Sequence, residues 1–193
     1  MLKKYVNVYT ESNPNPNSLK FVLNFMLVPE GTTFDFADVE SAAVGSPLAA
    51  ELFTFDYVSR VFITSNFITV TKKEEADWDE IISPIKGFIK TYFEEGKPLL
   101  TQKKMSEYDA DLNVEEPEVV KKIKGLLDEY VRPAVESDGG AINFHSFHDG
   151  IVKVHLQGSC SGCPSSTITL KAGIENLLKR MVPEVKEVVA EGV

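Results

Sequence analysis

The sequence predicts an α+β fold in two small domains. Segments rich in β-branched and aromatic residues occur together with segments whose apolar residues recur at helical spacing. Two such sets are separated by a polar, charged stretch from Leu100 to about Glu116, where the apolar periodicity stops. A length of 193 residues suits one large or two small domains. We therefore predict an N-terminal domain over residues 1–100, a flexible linker over 101–115 and a C-terminal domain over 116–193.

The first domain is predicted to contain mixed strands and two helices. Ser46 suits an N-cap and Pro47 the first helical position, which predicts a helix over residues 46–53. Helical spacing of apolar residues predicts a second helix over 77–93, with Pro84 indicating either a kink or a later start. Strands are expected at residues 5–9, 19–25, 32–36, 58–64 and 67–71, the last two forming a hairpin.

The second domain is predicted to have the order α-β-β-α-β. Its first helix starts at Glu116-Pro117 and is interrupted near Val131-Arg-Pro133. Its elements then follow as strands over 141–147 and 151–156, a cysteine-containing turn, a helix from Pro164 to Met181 and a last strand over 185–190.

Composition excludes several classes of function. The chain is 43% hydrophobic and 25% charged, as in ordinary globular domains, and its net charge of −9 argues against a nucleic-acid partner. We find no apolar run of the length that a membrane span requires and no secretory segment, so we expect no membrane association. Two cysteines do not make a disulfide framework. We therefore expect a cytoplasmic protein, or one of the mitochondrial matrix if a presequence was removed.

The two cysteines, Cys160 and Cys163, lie in Gly158-Ser-Cys-Ser-Gly-Cys-Pro164, between a predicted strand and a predicted helix. The glycines allow the backbone to bend both side chains toward one point. A helix N-terminus carries partial positive charge, which favours thiolate over thiol. Thiolate is the form of cysteine that binds metals and attacks disulfides, so we predict a reactive or metal-binding pair.

Spacing alone leaves three chemistries open for this pair: dithiol–disulfide exchange, a zinc site and an iron–sulfur cluster. The pair is also compatible with two small residues on a glycine turn. All three histidines, His145, His148 and His155, lie in the second half, but strand alternation places His155 on the exposed face rather than with the cysteines. Because a fully thiolate-ligated cluster commonly takes four cysteines, two chains would have to share one.

The second half resembles the NifU-like domain of Nfu-type iron–sulfur proteins. The resemblance is carried by Val131-Arg-Pro-Ala-Val-Glu-Ser-Asp-Gly-Gly140, Asp149-Gly-Ile-Val152 and Gly158-Ser-Cys-Ser-Gly-Cys-Pro-Ser-Ser166. The first half is similar to the domain that precedes it in many Nfu proteins, through Asn13-Pro-Asn-Pro-Asn-Ser-Leu-Lys-Phe21 and Phe67-Ile-Thr-Val-Thr-Lys72. One departure is Ala141, where related domains often place a polar or acidic residue.

The resemblance implies a non-enzymatic scaffold and carrier of [4Fe-4S] clusters. Cys160 and Cys163 would be the ligands, and a homodimer would share the cluster, receive it from an upstream donor and deliver it to apo-proteins. The ligand count also permits a [2Fe-2S] cluster. The alternatives are a thiol–disulfide oxidoreductase that uses the same pair and a structural zinc dimer. For the first domain, which has no cysteine or histidine, we expect a role in recognising donor or recipient, or in controlling access to the cluster.

Overall fold

The computed structural model describes residues 5–111, 116–162 and 164–192, and its description of side chains omits 107–111, 161–162 and 164–167. The described residues form two compact units, one mainly before residue 112 and the other mainly after residue 115. Both units contain helices and a β-sheet, which confirms the predicted α+β class. Among the described residues, no helix has the length and apolar character needed to cross a membrane.

The first unit is built on a five-stranded antiparallel sheet with the order β1-β2-β5-β4-β3. The predicted hairpin is confirmed, because Thr64 pairs with Phe67 and Ser65 has a positive φ of 39° at the turn. The first strand starts at Val8, three residues later than predicted. The strands are β1 Val8–Ser12, β2 Ser18–Leu23, β3 Thr33–Phe36, β4 Val58–Thr64 and β5 Phe67–Lys72.

The helices of this unit are α1 Val39–Gly45, α2 Pro47–Leu52, α3 Trp78–Glu94 and α4 Gln102–Asp111. The predicted cap of α2 is confirmed, since Ser46 Oγ accepts a hydrogen bond from Ala49 N at 3.1 Å. The later start considered for α3 is wrong, because Pro84 lies inside one continuous helix.

Helix α1 is not among the predicted elements, so the prediction of two helices for the first domain is wrong. Asp38 caps α1 by accepting a hydrogen bond from Ser41 N at 2.7 Å. The helix buries only Ala42 and Gly45. It therefore has no stripe of large apolar residues from which helical periodicity is recognised.

Helix α4 lies inside the segment predicted as a linker. Apolar periodicity is absent there, but glutamine, lysine, methionine and glutamate all have good helix propensity. Thr101 supports the helix start, because its Oγ1 accepts a hydrogen bond from Lys104 N at 3.3 Å. The Thr101 backbone N–H also donates to Gly45 O at 3.0 Å, which ties this start to the end of α1. The predicted linker therefore begins with a helix that is hydrogen-bonded to the end of α1, although its sequence indicated only a polar connection.

The core of the first unit forms where α1, α2 and α3 pack on the sheet. Its largest buried side chain, Tyr92, donates its hydroxyl to Pro98 O at 2.7 Å. Burial, and secondarily the charge of Glu51, raise the pKa of Tyr92 to about 12. The phenol therefore stays protonated, and it remains a hydrogen-bond donor at any physiological pH.

A partly buried ion pair joins two strands of this unit. Arg60 on β4 donates through Nε and Nη2 to the two carboxylate oxygens of Asp35 on β3, both at 2.8 Å. The side chains are only 18% and 5% exposed, respectively. The two parallel charge-assisted hydrogen bonds are stronger than bonds between neutral groups, and the loss of Arg60 would remove both from the carboxylate of Asp35.

We expect Arg60→Ala to lower the free energy of unfolding of the first unit by about 1.5–3 kcal/mol, because the carboxylate of Asp35 loses two charge-assisted hydrogen bonds. Denaturant unfolding followed by the fluorescence of Trp78, the single tryptophan, measures this change in the same unit. Lys97→Ala is the control, since Lys97 pairs with Glu51 and Glu95 at the surface, where water and salt screen ion pairs, and its loss should change the free energy of unfolding much less. Equal effects of the two variants would contradict the expectation.

The second unit confirms the predicted order α-β-β-α-β. In its three-stranded sheet β7 is central, with β6 antiparallel and β8 parallel to it. The predicted interruption of the first helix is a π-helical turn, Leu127–Val131, next to Pro133, which has no backbone N–H to donate. The other elements are α5 Glu118–Leu126, α6 Arg132–Ser137, β6 Gly140–His148, β7 Ile151–Gly158, a 3₁₀ turn Ser159–Gly162, α7 Pro164–Met181 and β8 Glu187–Gly192.

Both long helices of this unit pack on one face of its sheet. Ile123 of α5 and Ile174 and Leu178 of α7 are buried against Val154 and Leu156 of the central strand. Cys160, in the turn between β7 and α7, belongs to the same apolar core. The core thus extends to the turn that carries the predicted cysteine site.

Candidate functional site

The cysteine-containing segment forms the predicted turn between a strand and a helix. Strand β7 ends at Gly158, whose φ of +66° is a conformation that glycine adopts readily. The 3₁₀ turn carries Cys160, and α7 begins at Pro164. Cys163 lies outside the described residues, so its part in the site stays a prediction.

The thiol of Cys160 is packed against Gly140. Cys160 is 5% exposed, and no disulfide involves it. A Cβ atom placed on Gly140 would lie 2.8 Å from Cys160 Sγ and 2.6 Å from Gln157 O. Both distances are too short for real carbon contacts, so only glycine fits at this position without a shift of the thiol or the strand.

The backbone around Asp138 and Gly139 holds the residue before this cysteine. Ser159 N donates to Gly139 O at 3.3 Å, and Ser159 Oγ donates to Asp138 O. Gly140 pairs with Gly158 across the β6–β7 ladder. Ser159 is 2% exposed, so these bonds are shielded from water. The hydrogen bonds of Ser159 to the loop between α6 and β6 therefore fix the start of the cysteine-containing turn.

On another side, Cys160 borders an apolar cleft. The cleft has a volume of about 400 Å³ and lies between α7 and the segment formed by the π turn and α6. Asp138 is also part of its wall. Apolar lining is provided by Val131, Val135, Leu170, Ile174 and Leu177. On one side, the thiol of Cys160 is in close contact with the backbone at Gly140. On the other side, it borders this apolar cleft, which we name the Cys160 cleft.

The histidines do not join the cysteine. His145 and His155 stack on each other on β6 and β7, with ring centroids 4.3 Å apart and planes inclined by 20°. His155 Nε2 lies 3.9 Å from Glu191 Oε2. In the part of the chain that the structure describes, no three side chains of histidine, cysteine, aspartate or glutamate are placed to hold one metal ion. The described residues of one chain therefore do not form a zinc site that includes His155.

The residues that position Cys160 are not among the predicted site residues. Asp138-Gly-Gly140 is predicted only as a turn, whereas Gly140 also supplies the space for the thiol. Ser159 has no predicted role, although its side chain and its backbone N–H both donate hydrogen bonds to the loop before β6. Two adjacent glycines at a strand start were the available signal, because such glycines mark close backbone approach.

Comparison with known proteins identifies the family of this chain. Residues 8–96 match the family described as Scaffold protein Nfu/NifU N terminal, and residues 123–189 match the NifU-like domain. A human protein named NFU1 iron-sulfur cluster scaffold homolog, mitochondrial, is 45% identical over 186 residues. That alignment covers 96% of this chain and 72% of the human protein. The chain belongs to the Nfu family. The resemblance inferred from the sequence is thereby confirmed.

Other relatives of this Nfu-family chain are also longer than it is. A Drosophila willistoni protein with the same name as the human one is 42% identical over 188 residues, which cover 97% of this chain and 64% of the relative. NifU-like protein 4, mitochondrial, from Arabidopsis thaliana is 43% identical, with coverage of 95% and 65%. A solved NifU-like protein from Saccharomyces cerevisiae aligns with 50% of this chain and 86% of its own, at 20% identity and a TM-score of 0.42. The chain thus spans about two thirds of the length of these two curated relatives.

Proposed function

We propose that this Nfu-family chain is an iron–sulfur cluster scaffold and carrier rather than an enzyme. In this proposal Cys160 and Cys163 of two copies hold one [4Fe-4S] cluster and pass it to apo-proteins. The observation that supports the proposal is the placement of Cys160 on a turn between strand and helix, in a family whose members are named cluster scaffolds. Cys163, the only other cysteine of the sequence, follows three residues later. Two thiolates per chain make a shared cluster the simplest way to reach four.

Transfer follows as ligand exchange at iron. A cysteine of the recipient loses its proton and forms an iron–sulfur bond while a bond to Cys160 or Cys163 breaks, and the released thiolate takes up a proton. The oxidation state of the cluster does not change, so no external oxidant or reductant is needed. A cluster held at the junction of two subunits suits this exchange, because separation of the subunits exposes it. The same ligand count serves a [2Fe-2S] cluster, which is the second form to test.

The relatives also bear on location. The human, fly and plant proteins above are all named mitochondrial. We therefore propose a mitochondrial location for this chain, which is the second of the two locations considered from the sequence. The cytoplasmic location that the composition favoured has no support in the names of these relatives.

A transfer assay tests the carrier role. The cluster-loaded chain is mixed anaerobically with an apo-enzyme whose activity needs a [4Fe-4S] cluster, in the presence of an iron chelator. We expect activity to return faster than with equal amounts of free iron and sulfide, because the chelator captures only free iron. Recovery no faster than with free iron and sulfide would contradict the carrier role.

Removal of residues 1–100 tests the role proposed for the first domain. We expect the remaining chain to assemble the cluster, since Cys160, Gly140 and the second core are all retained. Transfer to at least one recipient should become slower, because a recognition surface is lost. Unchanged transfer to every recipient tested would argue against recognition by the first domain.

A further inference from the structure

We infer that Asn15 is a positioning residue for the cysteine-containing turn, because it holds the peptide group that precedes Cys160. The inference rests on the proposed function, in which Cys160 is a cluster ligand, and adds a residue that keeps this ligand in place. It also gives a role to the Asn13-Pro-Asn15 segment, which so far contributes only to the family resemblance. Asn15 binds no metal in this account and acts through the backbone of Ser159.

The contact on which the inference depends is a hydrogen bond between residues distant in the sequence. Asn15 Nδ2 donates to Ser159 O at 3.1 Å, although the two residues are 144 positions apart. The bond lies inside one compact unit, because Asn13–Asn15 form part of the second unit. Asn15 is partly buried and Ser159 is buried, so water competes poorly for this carbonyl. Asn15 thus contacts the residue next to Cys160.

A local turn presents the side chain of Asn15. Asn13 Oδ1 accepts a hydrogen bond from Asn15 N at 3.1 Å, which is the pattern of an Asx turn. Pro14 and Pro16 flank Asn15, and the ring of each proline fixes its own φ. These constraints restrict the backbone on both sides of Asn15. The side-chain amide therefore loses less freedom when it bonds Ser159 than it would on a flexible loop.

With this bond, three polar groups of Ser159 are held. Its N–H donates to Gly139 O at 3.3 Å, and its Oγ donates to Asp138 O. Its carbonyl accepts from Asn15 Nδ2. The carbonyl of Ser159 and the N–H and Cα of Cys160 belong to one planar peptide group. A fixed carbonyl therefore fixes the point from which the Cys160 side chain starts.

The direction of the Cys160 side chain matters because its thiol has little room on one side. A Cβ atom placed on Gly140 would lie 2.8 Å from Cys160 Sγ, so the thiol is already in close contact there. A tilt of the Ser159–Cys160 peptide would move the thiol against Gly140 or into the Cys160 cleft. Loss of a residue that orients a metal ligand typically lowers metal affinity about 10–100-fold. We therefore expect Asn15 to lengthen the lifetime of a bound cluster.

Substitutions of Asn15 test the inference. Asn15→Ala removes the donor, and Asn15→Asp keeps the shape of the side chain but replaces the donor by an acceptor. Asn24→Ala and Asn24→Asp are the matched controls, because Asn24 Nδ2 also donates to a backbone carbonyl, that of Tyr5, at 3.2 Å. Asn24 is exposed and belongs to the first unit. Each control thus loses the same kind of bond with the same change of charge.

The first measurement follows the Cys160 thiol in the full chain without metal. Iodoacetamide alkylates thiolates, and fragment mass spectra distinguish Cys160 from Cys163. We expect both Asn15 variants to raise the alkylation rate of Cys160 at least about fivefold, because loss of the hydrogen bond lets the buried thiol reach the reagent more often. Both Asn24 variants should stay within about twofold of the unmodified chain, as surface substitutions do.

The second measurement is the half-life of the loaded cluster against a chelator, at a temperature where thermal unfolding shows all variants to be folded. We expect Asn15→Ala and Asn15→Asp to shorten this half-life at least about tenfold, as for residues that orient metal ligands. The two Asn24 variants should leave it within about twofold of the unmodified chain.

The outcomes separate this inference from the proposed function. If the unmodified chain binds no cluster, the proposed function fails, and alkylation alone decides whether Asn15 holds the thiol. If the chain binds a cluster while the Asn15 and Asn24 variants agree in both measurements, only the inference is overturned. A shorter half-life with unchanged alkylation of Cys160 would also overturn it, because Asn15 would then act elsewhere. Faster alkylation with an unchanged half-life would overturn it as well, since the held thiol would not affect the cluster.

Discussion

Replacement of either Cys160 or Cys163 by serine should abolish a stable cluster. A dimer of single-cysteine chains supplies two thiolates, whereas a fully thiolate-ligated cluster takes four. A serine hydroxyl is a far weaker ligand because it is not deprotonated at neutral pH. Iron and acid-labile sulfide per chain, measured after anaerobic reconstitution and gel filtration, should fall to background in both variants.

This experiment needs a control showing that both serine variants fold. Cys160 is buried in the second core, so its replacement places a hydroxyl in apolar surroundings, while the exchange of one sulfur for one oxygen changes the volume little. Circular dichroism and thermal unfolding should show that both variants are folded at the reconstitution temperature. A folded single-cysteine variant that kept a full four-iron cluster would contradict the ligand assignment.

Gly140→Ala should weaken cluster binding although residue 140 has no side chain to act as a ligand. The added methyl group would lie 2.8 Å from Cys160 Sγ and 2.6 Å from Gln157 O, so the thiol or the strand has to move. Residues that orient metal ligands typically change metal affinity by about 10–100-fold when they are substituted, and we expect a loss in this range. The overpacked site should also lower the free energy of unfolding by about 1–3 kcal/mol.

The measurement is the half-life of the loaded cluster against a chelator, at a temperature well below unfolding. Gly125→Ala is the matched control, because its Cβ meets no heavy atom within 4 Å and alanine favours the helix. A half-life for Gly140→Ala equal to that of Gly125→Ala, with an unchanged absorbance spectrum, would show that the thiol position does not depend on Gly140.

Local sequence signals were sufficient for many elements. Ser65-Asn66 between two β-branched segments predicted the β4–β5 hairpin, and Ser46-Pro47 predicted the start of α2. In the second unit, Pro133 predicted the interruption that the structure shows as a π turn. These succeeded because a turn, a cap or a missing N–H acts on its immediate neighbours, which are adjacent in the sequence.

The failures have a physical pattern as well. Helix α1 depends on the cap Asp38 and has little apolar surface, and α4 depends on propensity and on Thr101, so neither shows apolar periodicity. The contact of Gly140 with Cys160 spans twenty residues and arises from the pairing of β6 with β7. Such a contact depends on strand register, which a local motif does not contain.

The central claim is that two chains share one cluster through their cysteine pairs. Anaerobic reconstitution, followed by iron, sulfide and mass determination on the same sample, tests it most directly. We predict four irons and four sulfides per dimer, with a broad absorbance shoulder rather than discrete visible bands. A metal-free monomer whose cysteines readily cycle through a disulfide would contradict the claim and favour thiol–disulfide exchange.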